Sequence, residues 1–313
     1  MGKTAFVFPG QGAQAVGMGK DIYDADQRAK EIFESADAAL GFELSRIIFD
    51  GPDDELKRTF NTQPALLTAS VAYLELFRTR FGITPDYVAG HSLGEYSALV
   101  AAGVLRFEDA VRTVRARGEF MEQAVPGGQG AMAAVLGAER EALQALCAAV
   151  SAEGAVVELA NLNCPGQIVV SGSKEGVQAI VERGKEAGAK RVIPLEVSGP
   201  FHSSLMKPAS DKLDGVLAEL GMEPAAVPVV ANVTARPVQE PGEIRRLLVE
   251  QVSSSVLWED SVAWLIEQGV DTFVEFGSGT VLAGLIKKID RSVKVYSVNS
   301  LEALDKFQSE TAV

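Results

Sequence analysis

Between Tyr87 and Tyr96 the chain reads YVAGHSLGEY, and few segments restrict a fold as strongly. Tyr87–Ala89 has strand character, Gly90 and Gly94 bracket Ser92, and a helical pattern follows. A strand that turns sharply into a helix lifts the middle residue of G-x-S-x-G to a sheet edge, near the positive end of the helix. The flanking glycines keep side chains out of the turn. The same residues admit a second description, because Ser92-Leu-Gly-Glu95 also fits a capping box in which the serine only satisfies helix-end donors.

The rest of the chain supplies a sheet for such a turn. Thr4–Phe8 reads as a buried strand ending at Pro9, and helical patterns follow around Ala25–Leu40 and Pro64–Phe81. After the GHSLGE turn, helices continue to about Ala124. This alternation predicts a parallel α/β sheet with helices on both faces. The texture changes at Pro126-Gly127-Gly128. The pattern from there is strand (Ala131–Leu136), helix (Glu139–Ala152), strand (Val156–Ala160), strand (Ile168–Ser171), helix (Lys174–Ala187), strand (Arg191–Val197). That is the ferredoxin-like β-α-β-β-α-β order. The expectation is a large core from residues 1–127 and 199–313 and a small inserted subdomain from 128–198. Further strands are expected near Val229–Ala231, Thr272–Phe276 and Lys294–Val298, and the last dozen residues are expected to fray.

Composition narrows the chemistry. Apolar residues make up 47% of the 313 residues, enough for a sizeable core. No stretch approaches the ~20 apolar residues that cross a bilayer. The opening MGKTAFVFPG lacks the apolar run and cleavage site of a secretory signal. A cytoplasmic protein with no membrane partner is expected. A net charge of −13 argues against nucleic acid as a partner. An anionic partner must find a local basic patch, for which Lys287, Lys288 and Arg291 form one candidate; a solvated helix end is the other reading. Cys147 and Cys164 form no C-x-x-C pair, and with two histidines in the chain no Cys/His metal site is expected. Cys147 reads as core and Cys164 as a bystander beside a Pro-Gly turn.

A serine nucleophile needs a base near neutral pH, and imidazole is the usual one. His91 adjoins Ser92 in the turn, where neighbouring side chains diverge, so it is expected to pack or orient. His202 lies in SGPFHSSLM, a Gly-Pro loop of the kind that presents functional side chains. Elimination favours His202, although a helix-start histidine bonded to a carbonyl fits the same position. Arg117, with Arg112 and Arg115, reads by spacing alone as a solvated helical arginine.

Six segments belong together: FPGQGAQ (Phe8 to Gln14), GHSLGEY (Gly90 to Tyr96), RARGEFM (Arg115 to Met121), NCPGQIVVSG (Asn163 to Gly172), SGPFHSSLM (Ser198 to Met206) and EFGSG (Glu275 to Gly279). In order and spacing they resemble the malonyl-CoA:acyl carrier protein transacylase family, which includes acyltransferase domains of polyketide synthases. The resemblance implies a hydrolase-like α/β core with a ferredoxin-like subdomain. It implies transfer of malonyl from a coenzyme A thioester to the phosphopantetheine thiol of acyl carrier protein through a Ser92 ester, with no metal or redox cofactor.

By the same resemblance Ser92 is the nucleophile, His202 its base, and Arg117 the binder of the malonyl carboxylate. The backbone amides of Gln11 and Leu93 form the oxyanion hole, and the backbone carbonyl of Gln251 orients the histidine in place of an aspartate. Phe201 resembles the phenylalanine of HAFH in malonyl-selective polyketide domains, where a large ring crowds a methyl branch; here the string is GPFH (Gly199 to His202). A chain ending soon after its last strand is expected to be a discrete fatty acid enzyme, with a standalone polyketide acyltransferase as the alternative and a monomer as the default state.

Rival readings are weaker. A serine thioesterase of ordinary hydrolase fold puts its histidine after the last strands, whereas several expected elements follow His202. A dinucleotide fingerprint can be traced as Gly10-x-Gly12-x-x-Ala15, but Pro9, Gly17 and Gly19 disrupt the strand-to-helix junction that it needs. A non-catalytic docking module of the same family has no reason to keep Ser92, His202 and Arg117 together.

Overall fold

The computed structural model describes residues 2–311. Its first strand, β1 (Lys3–Phe8), is buried from Ala5 to Phe8, and alternation explains the unbroken apolar run. Phe6 and Phe8 enter the main core, while Ala5 and Val7 enter a second core with Trp258, Phe273 and Leu282. A strand covered on both faces has no polar face to show.

Strand β2 is Tyr87–Gly90, and the remaining strands are β3 (Gly130–Leu136), β4 (Val157–Cys164), β5 (Gln167–Ser173), β6 (Arg191–Pro194), β7 (Val229–Ala231), β8 (Arg236–Val238), β9 (Val270–Phe276) and β10 (Lys294–Val298). They form a six-stranded sheet in the order β10-β9-β1-β2-β7-β8 and a four-stranded sheet in the order β4-β5-β3-β6. The first is parallel except for β8, and the second is antiparallel throughout. The four-stranded order is the ferredoxin-like arrangement that the element sequence implies. The short edge strand β8, which contains Pro237, was not expected from the sequence; a proline that donates no ladder bond is tolerated at such an edge.

Several boundaries differ from expectation. The Ala25–Leu40 pattern is two helices, Lys20–Ala25 and Gln27–Leu40, because extended Asp26 caps the second by accepting from Arg28 and Ala29 backbone N–H groups. The next long helix runs Thr59–Phe81, with Pro64 inside it rather than at its start. Proline cannot donate to the carbonyl one turn back, and that Phe60 carbonyl accepts from Arg115 instead, at 3.3 Å. Strand β4 runs past Ala160 to Cys164 because Leu162 N–H donates to the Val256 carbonyl at 2.9 Å, and Val256 N–H donates to Ala160 at 2.8 Å. Those bonds fasten the small sheet to the large core. Strand β6 stops at Pro194 instead of reaching Val197. Residues Leu301–Thr311 form a helix rather than fraying, since Leu304 and Phe307 are buried and the Phe307 ring packs on Phe77, Phe81 and Tyr296; the last two positions of that expectation, 312 and 313, lie outside the described residues.

Parallel strands place their carboxyl ends together, where α/β sheets present their sites. Neighbouring β1, β2 and β7 therefore deliver the Gln11 loop, Ser92 and Asn232 to one crevice. The approach of β2 and its helix to β1 leaves no room for side chains. A methyl group on Gly94 would lie 2.0 Å from the Phe8 carbonyl oxygen, and one on Gly90 would lie 1.9 Å from the Gly94 carbonyl carbon. Backbone on both sides cannot yield as a side-chain tip could, so Gly94→Ala should cost at least about 3 kcal/mol in denaturant unfolding. An alanine variant as stable as the parent would show that the junction is looser than drawn.

Candidate active site

At the junction Ser92 adopts φ 51°, a left-handed conformation rare for a side-chain-bearing residue. Asn232 holds it there. Its Oδ1 accepts the Ser92 N–H at 2.7 Å, its Nδ2 donates to the Gly90 carbonyl at 2.7 Å, and its own N–H donates to Glu95 Oε2 at 3.0 Å. The capping-box description therefore fails. The Ser92 side chain caps nothing, and Glu95 points inward rather than back to the Ser92 N–H.

The Ser92 hydroxyl faces His202 Nε2 at 2.7 Å, and His202 Nδ1–H donates to the Gln251 carbonyl at 2.9 Å. A carbonyl only accepts, so the proton sits on Nδ1 and the lone pair of Nε2 faces the serine. His202 is itself in the left-handed region, at φ 58°. Only 4% exposed, its imidazole is pushed down to about 3 by burial and then by the nearby Arg117 charge. It is thus neutral and able to accept a proton throughout the physiological range.

Arg117 lies on the helix Phe107–Gln123 and is 1% exposed. Its Nη1 donates to Gln63 Oε1 at 2.7 Å, and its Nη2 donates to Gln251 Oε1 at 2.9 Å and to Ser92 Oγ at 3.1 Å. Its Nε is buried without an acceptor, and Tyr96 stacks its ring 5.6 Å from the guanidinium carbon. Among the described residues no carboxylate forms an ion pair with it. The solvated-arginine reading holds for Arg112, paired with Asp109, and in part for Arg115, paired with Glu119. It fails for Arg117, which the helix turns inward. Gly118 lets that helix close on its neighbour, since a methyl group there would lie 2.6 Å from Phe60 Cα.

Gln11, Leu93, Arg117, Phe201 and His202 line one cavity of about 110 Å³ with Ser92. Among the described residues neither the Gln11 nor the Leu93 backbone N–H has an acceptor. The Gln11 side chain donates to Thr59 Oγ1 at 3.3 Å, and Thr59 meets Ser198 Oγ at 2.9 Å, so the loop is tied to both neighbours of the cavity. His91 turns away from the Ser92 hydroxyl. Burial keeps it neutral, its Nε2–H donates to Asn163 Oδ1 at 2.8 Å, and its ring packs on Trp258. No helix follows β1 until Lys20, so the dinucleotide geometry is absent. Lys287 is spent on the Val293 carbonyl and Lys288 on Gln167 Oε1. Among the described residues there is no group of three or more His, Cys, Asp or Glu that could hold a metal, and no helix is long and apolar enough to cross a membrane.

Sequence reasoning missed Gln63, Asn232 and Glu95 as parts of the site. Neutral amides carry no motif of their own. Asn232 left a signal as a polar residue directly after the apolar strand Val229–Ala231, and Glu95 as a member of the GHSLGEY segment.

The chain is similar to known proteins over nearly its whole length. Residues 5–310 match the model of the acyl transferase domain. The chain belongs to the acyl transferase family, within its malonyl CoA-acyl carrier protein transacylase group. The malonyl CoA-acyl carrier protein transacylase of Bacillus subtilis (strain 168) is 55% identical over 305 residues, covering 97% of this chain and 96% of that relative. The crystal structure of an acyl-carrier-protein S-malonyltransferase from Burkholderia pseudomallei 1710b superposes with a TM-score of 0.95 at 46% identity, covering 98% of this chain and 99% of that one. A malonyl-transacylase solved in complex with a type II PKS acyl-carrier protein gives a TM-score of 0.96 at 43% identity, covering 99% of this chain and 100% of that one.

The depressed basicity of His202 has a signed consequence. Between its ordinary value of 6.5 and about 3 the folded imidazole stays unprotonated, whereas an ordinary histidine would lose its base function there. Labelling of Ser92 by phenylmethylsulfonyl fluoride should therefore differ by less than about threefold between about pH 5 and about pH 7. A loss of tenfold or more across that interval, followed by mass spectrometry, would place the imidazole near its ordinary value.

Proposed function

We propose that the protein transfers a malonyl group from malonyl-CoA to the phosphopantetheine thiol of acyl carrier protein through a malonyl-Ser92 ester, supplying extender units for fatty acid synthesis. The observation that carries this reading is Arg117: a guanidinium 1% exposed, with no carboxylate partner, 3.1 Å from Ser92 Oγ. A buried, uncompensated cation is costly to keep, and an acyl group ending in a carboxylate supplies what it lacks. An acetyl group does not.

The chemistry proceeds in two balanced halves. Ser92 Oγ attacks the thioester carbon while its proton passes to His202 Nε2, and the Gln251 carbonyl, holding Nδ1–H, stabilises the imidazolium. The developing oxyanion is met by the Gln11 and Leu93 N–H groups, donors of a kind worth about 10²–10³ in rate. The C–S bond breaks, coenzyme A leaves with the proton from His202, and the malonyl ester remains. The carrier thiol then repeats the sequence in reverse sense: its proton goes to His202, its sulfur takes the acyl carbon, and Ser92 recovers the proton. Both ends are thioesters, so the transfer is reversible. No step asks for a metal or redox cofactor.

In this reading residues 128–198 form the small subdomain and residues 1–127 and 199–313 the core. Met132, Leu195 and Val197 from the small part help line the acyl cavity and exclude water that would hydrolyse the ester. Phe201, buried against the same cavity, restricts branching at the malonyl α-carbon. The setting is the cytoplasm and the working unit a single chain. The neighbour solved with a type II PKS carrier makes the carrier the natural discriminator between fatty acid and polyketide supply.

Incubation with malonyl-CoA and, separately, acetyl-CoA, without acceptor, tests the reading by intact mass. A malonyl adduct is expected, absent in Ser92→Ala. Arg117→Ala should lower malonyl transfer by about 10- to 150-fold, the value of a charge-assisted pair, while barely changing acetyl transfer. A folded wild-type chain that takes neither acyl group would sink the proposal.

A further inference from the structure

Glu95 is a carboxylate buried in the site that the transfer steps above leave without a task. It sits in the first turn of the helix Gly94–Ala101 and is 1% exposed. Its Oε2 accepts from the Asn232 N–H at 3.0 Å and from Gln251 Nε2 at 2.8 Å. The other end of the same amide, Gln251 Oε1, accepts from Arg117 Nη2 at 2.9 Å. Carboxylate and guanidinium are thus joined through one primary amide. Its orientation is dictated, because a carboxylate only accepts and a guanidinium only donates.

Resting on the malonyl-transfer reading, we infer that Glu95 is a positioning residue for the acyl carboxylate. Through the Gln251 amide it aims the Arg117 guanidinium at Ser92, and its charge sets how strongly that guanidinium attracts a second carboxylate.

The groups facing Glu95 leave it as the one that changes charge near neutrality. Arg117, from the helix Phe107–Gln123, stays charged. Tyr96, next to Glu95 on the helix Gly94–Ala101, is driven up by burial and stays neutral. His91 in the turn and His202 in the Gly-Pro loop are both held down by burial and are neutral. Asn232 and Gln251 bring no charge. Burial raises the Glu95 carboxyl to about 7, against the pull of its two hydrogen bonds and of Arg117. Below that value Glu95 is protonated and a malonyl carboxylate meets an uncompensated cation. Above it, two anions share one cation. The sign follows: malonyl binding weakens as pH rises through about 7, and binding near that pH draws a proton into the site.

Glu95→Gln separates charge from shape, since an amide oxygen can still accept from Asn232 and Gln251. In the wild type, Ser92 acylation followed by rapid-quench mass spectrometry should show KM for malonyl-CoA rising about tenfold between about pH 6 and about pH 8.5, with little change in kcat. In Glu95→Gln the low KM should persist across that range. A variant that is merely slower, with the wild-type pH profile intact, would reduce Glu95 to a structural role and overturn the inference. The wild type alone supplies a second readout that does not depend on the variant folding. Mixed with malonyl-CoA near pH 7 in lightly buffered indicator dye, it should take up protons, and mixed with acetyl-CoA it should not. Acylation without proton uptake overturns the inference and leaves malonyl transfer standing. Absence of any malonyl adduct overturns both.

Discussion

The site depends on keeping one positive charge dry. Arg117 is held by neutral oxygens, Gln63 Oε1, Gln251 Oε1 and Ser92 Oγ, rather than by a direct ion pair. A carboxylate in contact would have quenched it, and water would have screened it. Amide oxygens instead align the guanidinium and leave most of its field unspent. Burial, and after it that field reaching the imidazole 2.7 Å beyond the serine oxygen, keeps His202 unprotonated. Any carboxylate that neutralised Arg117 would also relieve the repulsion that opposes protonation of His202.

Gln251 connects these parts in two ways. Its backbone carbonyl orients the imidazole, while its side chain bridges Arg117, Glu95 and the Ser92 carbonyl. Asn232 does comparable work on the other side, fixing the left-handed Ser92 through its N–H and through the Gly90 carbonyl. A strained backbone persists where surrounding bonds over-determine it, and here those bonds come from residues far along the chain. The single β-bridge between Asn161 and Val256 then fixes the small sheet beside the crevice.

The strand-turn-helix at Ser92 was legible because Gly90 and Gly94 have to be small wherever that junction meets β1. The ferredoxin-like order was legible because strand and helix periodicities differ locally. Helix limits were less so. Asp26 inside one apparent helix and Pro64 at the start of another had their effects decided by hydrogen bonds that no periodicity displays. For Arg117, spacing supported a solvated residue, and only the RARGEFM resemblance pointed inward.

The sequence by itself determined most of the backbone scheme: which segments are strands, apart from the edge strand β8, where the serine turn falls, and which histidine stands in a presenting loop. Those properties follow from local conformational preference and from the periodicity of apolar residues. Tertiary structure decided what surrounds the serine. Gln63, Asn232, Gln251 and Glu95 are ordinary polar residues in the sequence, and they become site residues only because adjacent parallel strands and the helices beside them bury them against one guanidinium. Burial turns a neutral amide into a fixed dipole and a carboxylate into a group that titrates near neutrality, and burial is a property of the folded whole.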